Sequence, residues 1–227
     1  MNRRELLSAA VLSPMLLGAL APDAGVAPPS PRAMKPLPFD PTRLKGLSEK
    51  LLTSHHANNY GGAVKNLVKV EEELARLKPD ALPALVGGLR ERALQFHNSM
   101  TLHEWYFGNL GGDGKQSGAL ARALPATWEP EFRAAALSLG GGSGWVTLGL
   151  HTATGELITT WSGNHTQALA GALPLLVLDM YEHSYALDYG AAAAKYVDAF
   201  FANLQWDMVE RRYEAARAAL QAMSAAR

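Results

Sequence analysis

Apolar residues in the first half of the chain recur at spacings of three, four and seven positions, the repeat expected on one face of an α-helix. One such pattern runs from Pro41 to Leu77, and the polar and glycine-rich residues 58–62 interrupt it. A second helical pattern runs from Leu82 to Leu110. The short connection between the two patterns, which contains Pro79, predicts that the helices pack as an antiparallel hairpin.

The second half has a different pattern, in which short apolar runs lie between turns and helices. Runs bounded by glycine and other turn residues predict strands at Trp145–Leu150, Glu156–Trp161 and Leu173–Leu178. Helical patterns lie on either side of them, at Glu129–Leu139 and Tyr196–Ala225. The chain is therefore predicted to be all-helical first and mixed α/β second.

The first residues are not expected to belong to this fold. The pair Arg3 and Arg4 precedes an apolar run that ends at Ala19-Leu20-Ala21, which predicts a signal peptide over residues 1–21 with an A-x-A cleavage site. The arginine pair indicates the twin-arginine route of export. A membrane anchor that stays attached is the alternative, although the apolar run is short for a span of about 20 residues.

The remaining chain divides into three predicted parts. Residues 22–37 are rich in Pro and Ala and are interpreted as a flexible linker. Residues 38–125 form the helical hairpin domain, and residues 126–227 form the C-terminal α/β domain. The mature protein is expected to be exported, in the periplasm, and free of the membrane after cleavage.

Composition narrows the chemistry that the chain can perform. Its 227 residues suffice for one or two small domains with a real core. It has no Cys, which excludes a thiolate metal site and a Cys nucleophile. Lys plus Arg equals Asp plus Glu at 21 each, and this zero net charge gives no indication of nucleic-acid binding. A metal site must therefore use His, Asp, Glu or backbone oxygen, which suit iron, manganese, zinc or copper.

Four residues that can bind a metal stand in suggestive places. His183 follows Asp179 by four positions, just after the third predicted strand, and a buried Asp needs a partner. An Asp–His hydrogen bond without metal explains that pair equally well. His55 and His103 lie on the two predicted helices, and an antiparallel hairpin can bring both to one interior point. Solvent-facing histidines are the alternative, so the residues alone suggest a site between the halves without deciding it.

Four segments resemble motifs of a known family, and they follow one another along the chain in the family's order; they are described here from the last to the first. Asp179–Tyr189 is similar to D-x-W-E-H-A-Y-Y-L-x-Y, and Gly142–Gly149 is similar to G-S-G-W-x-x-L-G. His103–Leu110 is similar to H-x-x-F-W-x-N-L, and Leu52–Leu67 begins with L-x-x-H-H. These are motifs of the iron/manganese superoxide dismutases, and the resemblance covers about residues 38–210.

The resemblance implies a metal site and a fold. The metal ligands would be His55, His103, Asp179 and His183, with solvent as the fifth, holding one iron or manganese ion per subunit; iron is favoured. The implied fold class is α+β, with an N-terminal long antiparallel helical hairpin followed by an α/β domain with a small antiparallel sheet. The metal would lie between the two halves.

The resemblance also implies an activity and an assembly. The enzyme would be a superoxide dismutase that disproportionates superoxide to oxygen and hydrogen peroxide through one-electron cycling of the ion, which excludes zinc. Glu182 resembles the glutamate that reaches the ligand His of the partner subunit, so a homodimer or homotetramer is expected.

One candidate catalytic position departs from the family pattern. The family usually places a Gln beside the solvent ligand, and the matching residue here is His165. Gln167 is the alternative if the loop is aligned with a different gap. The other position from which some family members supply a Gln, four residues before the second ligand His, is Ser99. His165 is therefore predicted to tune the metal.

The substrate funnel departs further. The family's gateway Tyr, its neighbouring His and the Tyr that crosses from the partner subunit correspond here to Ala63, Asn59 and Ala186. Because these three residues touch one another in the family, their joint replacement indicates one remodelled funnel. Tyr60 is predicted to supply a catalytic phenol from a different position. The Trp of the D-x-W-E-H segment is Tyr181.

The positive charges that commonly line the family's funnel also differ. A Lys in the first-helix motif and an Arg about ten residues beyond the last ligand His correspond here to Asn58 and Ala193, which are uncharged. Lys65 and Lys195 lie nearby in sequence and are candidates to replace them. Two other functions stay open at this point: another metal-dependent enzyme on the same scaffold, since fold does not fix function, and a catalytically silent metal-binding relative.

Overall fold

A computed structural model describes residues 32–225 of the chain. The predicted signal peptide, residues 1–21, and most of the predicted linker, residues 22–37, lie outside the described residues. The predicted boundary between residues 125 and 126 falls in the connection between two helices, and it stays a prediction. Among the described residues, every helix is too short or too polar to cross a lipid bilayer.

The first arm of the hairpin is built from three consecutive helical pieces. Helix α1 (Glu49–Ser54) runs into a π-helical turn (His55–Tyr60), which runs into helix α2 (Gly61–Ala75). The interruption predicted at residues 58–62 thus takes the form of a wider helical turn. Turns of this kind are rare and are frequent at functional sites.

The predicted start of this arm at Pro41 is wrong. Pro41–Arg43 forms only a short 3₁₀ turn, and the continuous helix begins at Glu49. Between them, Gly46 has a φ of 73°, a left-handed conformation that ends any regular helix and that glycine adopts without strain. The Ser48 hydroxyl then accepts a hydrogen bond from the N–H of Leu51 at 3.1 Å and caps α1.

The second arm is a single long helix, α3 (Pro83–Gly108), close to the predicted range of 82–110. Pro83 stands in its first turn, where a missing N–H costs nothing. Residues 76–82 connect the arms, and α2 packs along α3. The buried positions of α3 recur at spacings of three and four, and they are Ser99, Met100, His103, Tyr106 and Phe107. The predicted hairpin is therefore present, with one His on its interior stripe.

The chain preceding the hairpin lies on its surface. In residues 32–37, at the end of the segment interpreted as a linker, the Arg32 guanidinium donates hydrogen bonds of 2.8–3.1 Å to the carboxylate of Glu71. The backbone N–H of Lys35 donates to the Tyr60 hydroxyl at 2.9 Å. These contacts fix this part of the chain to the helical hairpin.

The second half contains a three-stranded antiparallel sheet in the order β2-β1-β3. Its strands are β1 (Trp145–His151), β2 (Leu157–Ser162) and β3 (Ala172–Asp179), close to the predicted ranges. Residues 175–179 of β3 are all buried, because helices cover this part of the sheet. The register pairs Trp145 with Asp179, which puts the end of β3 beside the start of β1.

The predicted single C-terminal helix, Tyr196–Ala225, is wrong. Two helices occupy this region, α7 (Ala193–Ala202) and α8 (Trp206–Ala225). At the break, the buried side chain of Asn203 accepts a hydrogen bond from the N–H of Lys45 at 2.8 Å and donates one to its carbonyl at 2.7 Å. This pairing with a distant segment ends α7, so the local apolar repeat could not reveal it.

Shorter elements complete the second half. Helix α5 (Trp128–Leu137) agrees with the helix predicted at Glu129–Leu139 and packs on β1 and β2. Helix α4 (Gly118–Ala123) and helix α6 (Ala186–Tyr189) were not predicted. A 3₁₀ turn at Glu182–Ser184 follows β3. Helix α3 contacts β3, so the hairpin and the sheet share one core, and the candidate metal ligands lie at this junction.

Candidate metal centre

Four different elements bring the predicted ligands together. His55 opens the π-helical turn, His103 lies on the buried stripe of α3, Asp179 ends β3, and His183 lies in the 3₁₀ turn that follows. One ligand atom from each residue can be chosen so that all four lie within 4.8 Å of one another. We call these four residues the ligand cage.

Asp179 stands at the centre of the ligand cage. Its Oδ2 lies 3.1 Å from Nε2 of His55, 3.2 Å from Nε2 of His183 and 3.6 Å from Nε2 of His103. Asp179, His55 and His103 are at most 1% exposed, whereas the side chain of His183 is 27% exposed. The cage is thus closed on three sides and reaches the surface at His183.

Two buried nitrogens of the cage have no hydrogen-bond partner among the described residues: Nδ1 of His55 and Nε2 of His103. Nδ1 of His103 lies 2.6 Å from the carbonyl oxygen of Ser99, which can only accept, so Nδ1 carries the proton. Nε2 of His103 therefore presents a lone pair to the centre of the cage. An unpaired buried lone pair is costly in a protein interior, and a metal ion satisfies it.

Electrostatics favours the protonation states that metal ligands require. Burial lowers the pKa of His55, and burial lowers that of His103 to about 3, so both imidazoles are neutral at pH 7. Burial alone would raise the pKa of Asp179, but the hydrogen bonds of His183 and His55 outweigh it and hold the pKa below its ordinary range. The neutral imidazoles of His55 and His103 do not balance the negative charge of the buried carboxylate, and a cation bound in the cage would balance it. Three imidazoles and one carboxylate therefore fit a mononuclear iron or manganese ion.

Neighbouring groups hold Asp179 in place. Its Oδ1 accepts a hydrogen bond from the backbone N–H of Tyr181 at 2.9 Å. Its backbone carbonyl accepts hydrogen bonds from the hydroxyls of Tyr196, at 2.7 Å, and Ser184, at 2.9 Å. Sequence reasoning missed these roles of Tyr196 and Ser184. The signal that could have found Tyr196 is a Tyr among the apolar residues of the last helical pattern.

A cleft of about 220 Å³ leads to the cage and reaches His103 and His183. No Lys, Arg, Asp or Glu lines it in the described part of the chain. Its other lining residues are Asn58, Asn59, Gly62, Ala63, Asn66, Gln95, Phe96, Ser99 and His165. The predicted gateway positions Ala63 and Asn59 are thus part of this wall, and their small or uncharged side chains leave the cleft neutral.

His165 lies in the cleft with its orientation fixed. The indole Nε1–H of Trp145 donates to Nδ1 of His165 at 2.9 Å, and the side-chain amide of Asn98 donates to the His165 carbonyl at 2.7 Å. Because Nδ1 accepts a hydrogen bond, the proton of the neutral ring is on Nε2. Burial lowers the pKa of His165, which keeps the ring neutral. The alternative, Gln167, does not line this cleft, and its side-chain oxygen accepts from the N–H of Gly163 at 2.7 Å.

The structure places the two other candidate catalytic residues outside the cleft. The Tyr60 ring lies 6.4 Å from that of His103, but its hydroxyl donates to Glu104 at 3.0 Å and accepts from Lys35. Burial raises the pKa of Tyr60 to about 12, so the phenol keeps its proton. Glu182 is exposed beside His183 on the protein surface. Neither residue joins His165 in the cleft.

Comparisons with known proteins agree with this geometry. Residues 124–212 match the family model described as iron/manganese superoxide dismutases, C-terminal domain. The chain is 48% identical to a "Superoxide dismutase [Fe]" of Cupriavidus metallidurans over 190 residues, which cover 81% of this chain and 96% of that protein. It is 33% identical to a "Superoxide dismutase [Fe]" of Aquifex aeolicus, with 81% and 92% covered. It is 34% identical to "Superoxide dismutase [Mn] 1" of Halobacterium salinarum, with 81% and 95% covered.

Proposed function

This chain belongs to the iron/manganese superoxide dismutase family, and from this premise we propose that it works as an iron enzyme, in at least two copies, outside the cytoplasm. It is an oxidoreductase that disproportionates superoxide to oxygen and hydrogen peroxide. The observation that carries the activity is the ligand cage, whose four ligand atoms lie within 4.8 Å of one another.

The ligand cage, the cleft and His165 have different roles in the proposed reaction. When bound, iron or manganese supplies one-electron transfer in both directions. The ligand cage would hold the ion with three imidazoles and one carboxylate, a set that tolerates both oxidation states. The neutral cleft admits superoxide, and Nε2–H of His165 is the donor that can hydrogen-bond an oxygen near the cage. Burial of His55, His103 and Asp179 keeps bulk water away from three of the ligands.

Iron as the metal is supported by the relatives. The 48% identical relative and the Aquifex aeolicus relative both carry [Fe] in their names, while a relative with [Mn] in its name is 34% identical. The test measures bound metal and superoxide dismutation in the purified protein, then repeats the assay after reconstitution with iron alone or manganese alone. Higher activity with iron supports the proposal, and activity with manganese only refutes it.

The same experiment separates the other functions. Bound zinc without activity would show a catalytically silent relative, because zinc cannot cycle by one electron. A redox-active metal without superoxide dismutation would indicate another metal-dependent enzyme on this scaffold. These two functions are tested because the wall of the cleft departs from the family pattern at Asn59 and Ala63.

A homodimer or homotetramer is supported by the surroundings of His183. This ligand is 27% exposed and its neighbour Glu182 is exposed, so a partner subunit has access to both. Light scattering on the full mature chain measures the assembly directly. We expect Glu182→Ala to weaken the assembly, and a monomer in the unmodified protein would refute it.

Export by the twin-arginine route is supported by Arg3, Arg4 and the apolar run before Ala21. We expect the mature chain to begin near Pro22 in the periplasm. Replacing both arginines by Lys is expected to retain the protein inside the cell. An exported protein whose first residue is still Met1 would instead show an attached anchor.

A further inference from the structure

Residues 32–37, which we call the strap, bind the hairpin at residues that adjoin the ligand cage. The Nε2–H of His56 donates to the backbone carbonyl of Lys35 at 2.8 Å, because a carbonyl can only accept. The ammonium of Lys35 donates to the carboxylate of Glu104. In the chain, His56 and Glu104 each directly follow a ligand of the cage. One residue of the strap thus contacts both arms of the hairpin next to their ligands.

Tyr60 connects these contacts into a closed ring. Its hydroxyl accepts from the backbone N–H of Lys35 at 2.9 Å and donates to the carboxylate of Glu104 at 3.0 Å. Tyr60 is only 1% exposed, and its ring lies 6.4 Å from that of the ligand His103. It is also the last residue of the π-helical turn that the ligand His55 opens. The phenol therefore joins the strap, the π-helical turn and α3.

The backbone contact of the strap with Tyr60 contributes more than its ion pair. The side chain of Lys35 is 70% exposed, and an ion pair in water, such as this one with Glu104, contributes little to stability. The phenol of Tyr60 belongs to a buried residue, and removal of a hydrogen-bond partner from a buried polar group is costly. The N–H of Lys35 is therefore the group of the strap whose loss is expected to matter.

The strap contacts the hairpin away from the cleft that leads to the cage. Lys35, His56, Tyr60 and Glu104 line a separate cavity of about 300 Å³, and none of these four lines the cleft. An effect of the strap on the cage must therefore pass through the backbone and rings of the hairpin, and not through contact with the substrate.

We propose that Tyr60 is a positioning residue for the ligands His55 and His103, and that the backbone N–H of Lys35 holds Tyr60 in the place that this requires. A docked strap then raises the affinity of the cage for its metal. By linkage, a bound metal holds the strap more tightly, by the same factor. This inference deepens the proposed function and rests on it for any effect on catalysis.

The first experiment changes only the strap. Lys35→Pro removes the N–H that donates to Tyr60 together with the ammonium, whereas the matched control Lys35→Met removes the ammonium alone. The affinity for Mn²⁺ is titrated against a competing chelator. We expect it to fall about fivefold in Lys35→Pro, the size of one net hydrogen bond. In Lys35→Met we expect a change of less than about twofold. Equal affinities in Lys35→Pro and the unmodified protein would overturn the proposal.

The second experiment removes the phenol itself. Tyr60→Phe deprives both Lys35 and Glu104 of their partner, and we expect the affinity for Mn²⁺ to fall about 10-fold, as for other groups that orient metal ligands. Tyr189→Phe is the matched control, because its phenol also bonds a backbone group, the carbonyl of Gly46, which is not part of the strap. This control is expected to keep the affinity of the unmodified protein.

A third readout needs neither metal nor activity. In the metal-free protein, the buried Nδ1–H of His103 donates to the carbonyl of Ser99, and its NMR signal reports the orientation of the imidazole. We expect this signal to shift in Tyr60→Phe and to stay in place in Tyr189→Phe. A loss of stability alone would leave the signal of the folded protein unchanged, so an unshifted signal in Tyr60→Phe would overturn the positioning role.

The reverse effect is measured in the unmodified protein. Hydrogen exchange of the peptide that contains Lys35, followed by mass spectrometry, reports how often the strap opens. We expect bound Mn²⁺ to slow this exchange, because coupling between two sites is reciprocal. Exchange at the same rate with and without the metal would show that the strap and the cage are independent.

These readouts separate the positioning role from the proposed function. If the unmodified protein lacks dismutase activity with either metal, the proposed function fails, and the NMR signal of His103 still decides whether Tyr60 positions that ligand. If circular dichroism shows that Tyr60→Phe is unfolded, Lys35→Pro decides instead, since it leaves every residue of the hairpin unchanged.

Discussion

The ligand cage and the wall of the cleft above it differ in how strongly the structure constrains their residues. The cage is built from buried groups, with Asp179 at 0% exposure and His103 at 1%. The wall includes side chains that face water, such as those of Asn58 and Asn66, beside the buried Ala63 and Ser99. Gly62 shows how open this wall is, because a Cβ added there would meet nothing within 4 Å.

This difference explains why the cage keeps the family pattern while the wall departs from it. A change in the cage leaves a buried polar group without its partner, and such a group costs about 1–3 kcal/mol or more. A change at an exposed position of the wall, such as Asn58 or Asn66, exchanges one solvated side chain for another and leaves the fold intact. The wall can therefore vary in size and charge, and it affects the rate at which substrate arrives more than the binding of the metal.

The largest expected effect is that of removing a cage residue. Asp179→Ala and His103→Ala each delete one of four ligands, and Asp179→Ala also removes the only negative charge of the cage. We expect metal affinity to fall more than about 100-fold, since loss of even an outer partner of a ligand costs about 10- to 100-fold. Metal analysis of the purified variants measures this.

Matched controls come from histidines outside the cage. His97 is exposed on α3, and His151 hydrogen-bonds Thr154 at the far end of β1. His97→Ala and His151→Ala are expected to keep full metal content. Full metal and full activity in Asp179→Ala would refute the assignment of the cage.

The next effect concerns the boundary between cage and cleft. We expect His165→Ala to keep its metal and to lose about 10- to 100-fold in activity, because the imidazole acts on groups around the ion without binding it. Its reduction potential is expected to change as well. Metal content, potential and dismutation rate are measured on the same preparation. An unchanged potential and rate would move the tuning role to Gln167 or to another group.

The stability of the metal-free protein at low pH tests whether the imidazoles of the ligand cage are buried and neutral. Burial lowers the pKa of His103 from 6.5 to about 3, so the unfolded chain binds this proton more readily than the folded chain between those values. Stability is therefore lost as pH falls below 6.5. Each such group lowers the free energy of unfolding by up to about 1.4 kcal/mol for every pH unit below 6.5, or by about 2 kcal/mol at pH 5.

Urea unfolding of the metal-free protein at pH 7 and pH 5 measures this loss. Burial lowers the pKa of His55 in the same direction, and the low pKa of Asp179 adds a further loss at lower pH. Replacing His103 by Gln is expected to reduce the difference between the two pH values. Equal stability at pH 7 and pH 5 in the unmodified chain would contradict the burial of neutral imidazoles.

The sequence predicted the structure well wherever a local pattern of residues determines the local conformation. The apolar repeats predicted α3 and the three strands to within a few residues, and the motifs predicted the residues that form the cage. The patterns failed where a distant segment decides the local conformation. Asn203 ends α7 by pairing with the backbone of Lys45, more than 150 positions away in the chain.

Sequence patterns also failed near the cleft, where contacts with distant segments decide the surroundings of a residue. Tyr60 was predicted as a catalytic phenol because the family's gateway Tyr is replaced here by Ala63 and Tyr60 lies a few positions away in sequence. In the structure, the backbone of Lys35 and the carboxylate of Glu104 bind its hydroxyl, and both partners come from other segments. The ring of Tyr181 likewise stacks on that of His165, with centroids 4.8 Å apart, although the two residues lie in separate loops that a pattern of spacing cannot relate.

The smallest expected effect concerns the steering of superoxide. Superoxide is an anion, and a cleft with positive walls raises its rate of arrival by about 10-fold or more. Neither Asn58 nor Ala193 supplies such a charge, and Ala193 is buried. Lys65 and Lys195 are exposed but do not line the cleft. We therefore expect kcat/KM to change little when salt is added.

Asn58→Lys provides the decisive comparison for this prediction. Asn58 lies on the wall of the cleft, where its amide now donates to the hydroxyl of Ser54 at 3.2 Å. A Lys there would bring a positive charge to the cleft, and screening at physiological salt acts over about 8 Å. We expect the variant to be a few-fold faster at low salt and to lose this gain as salt is added. Lys65→Asn is the control and is expected to change neither rate nor salt dependence. A steep fall of kcat/KM with salt in the unmodified enzyme would show that positive charges outside the wall, with Lys65 and Lys195 the first to examine, already steer the substrate.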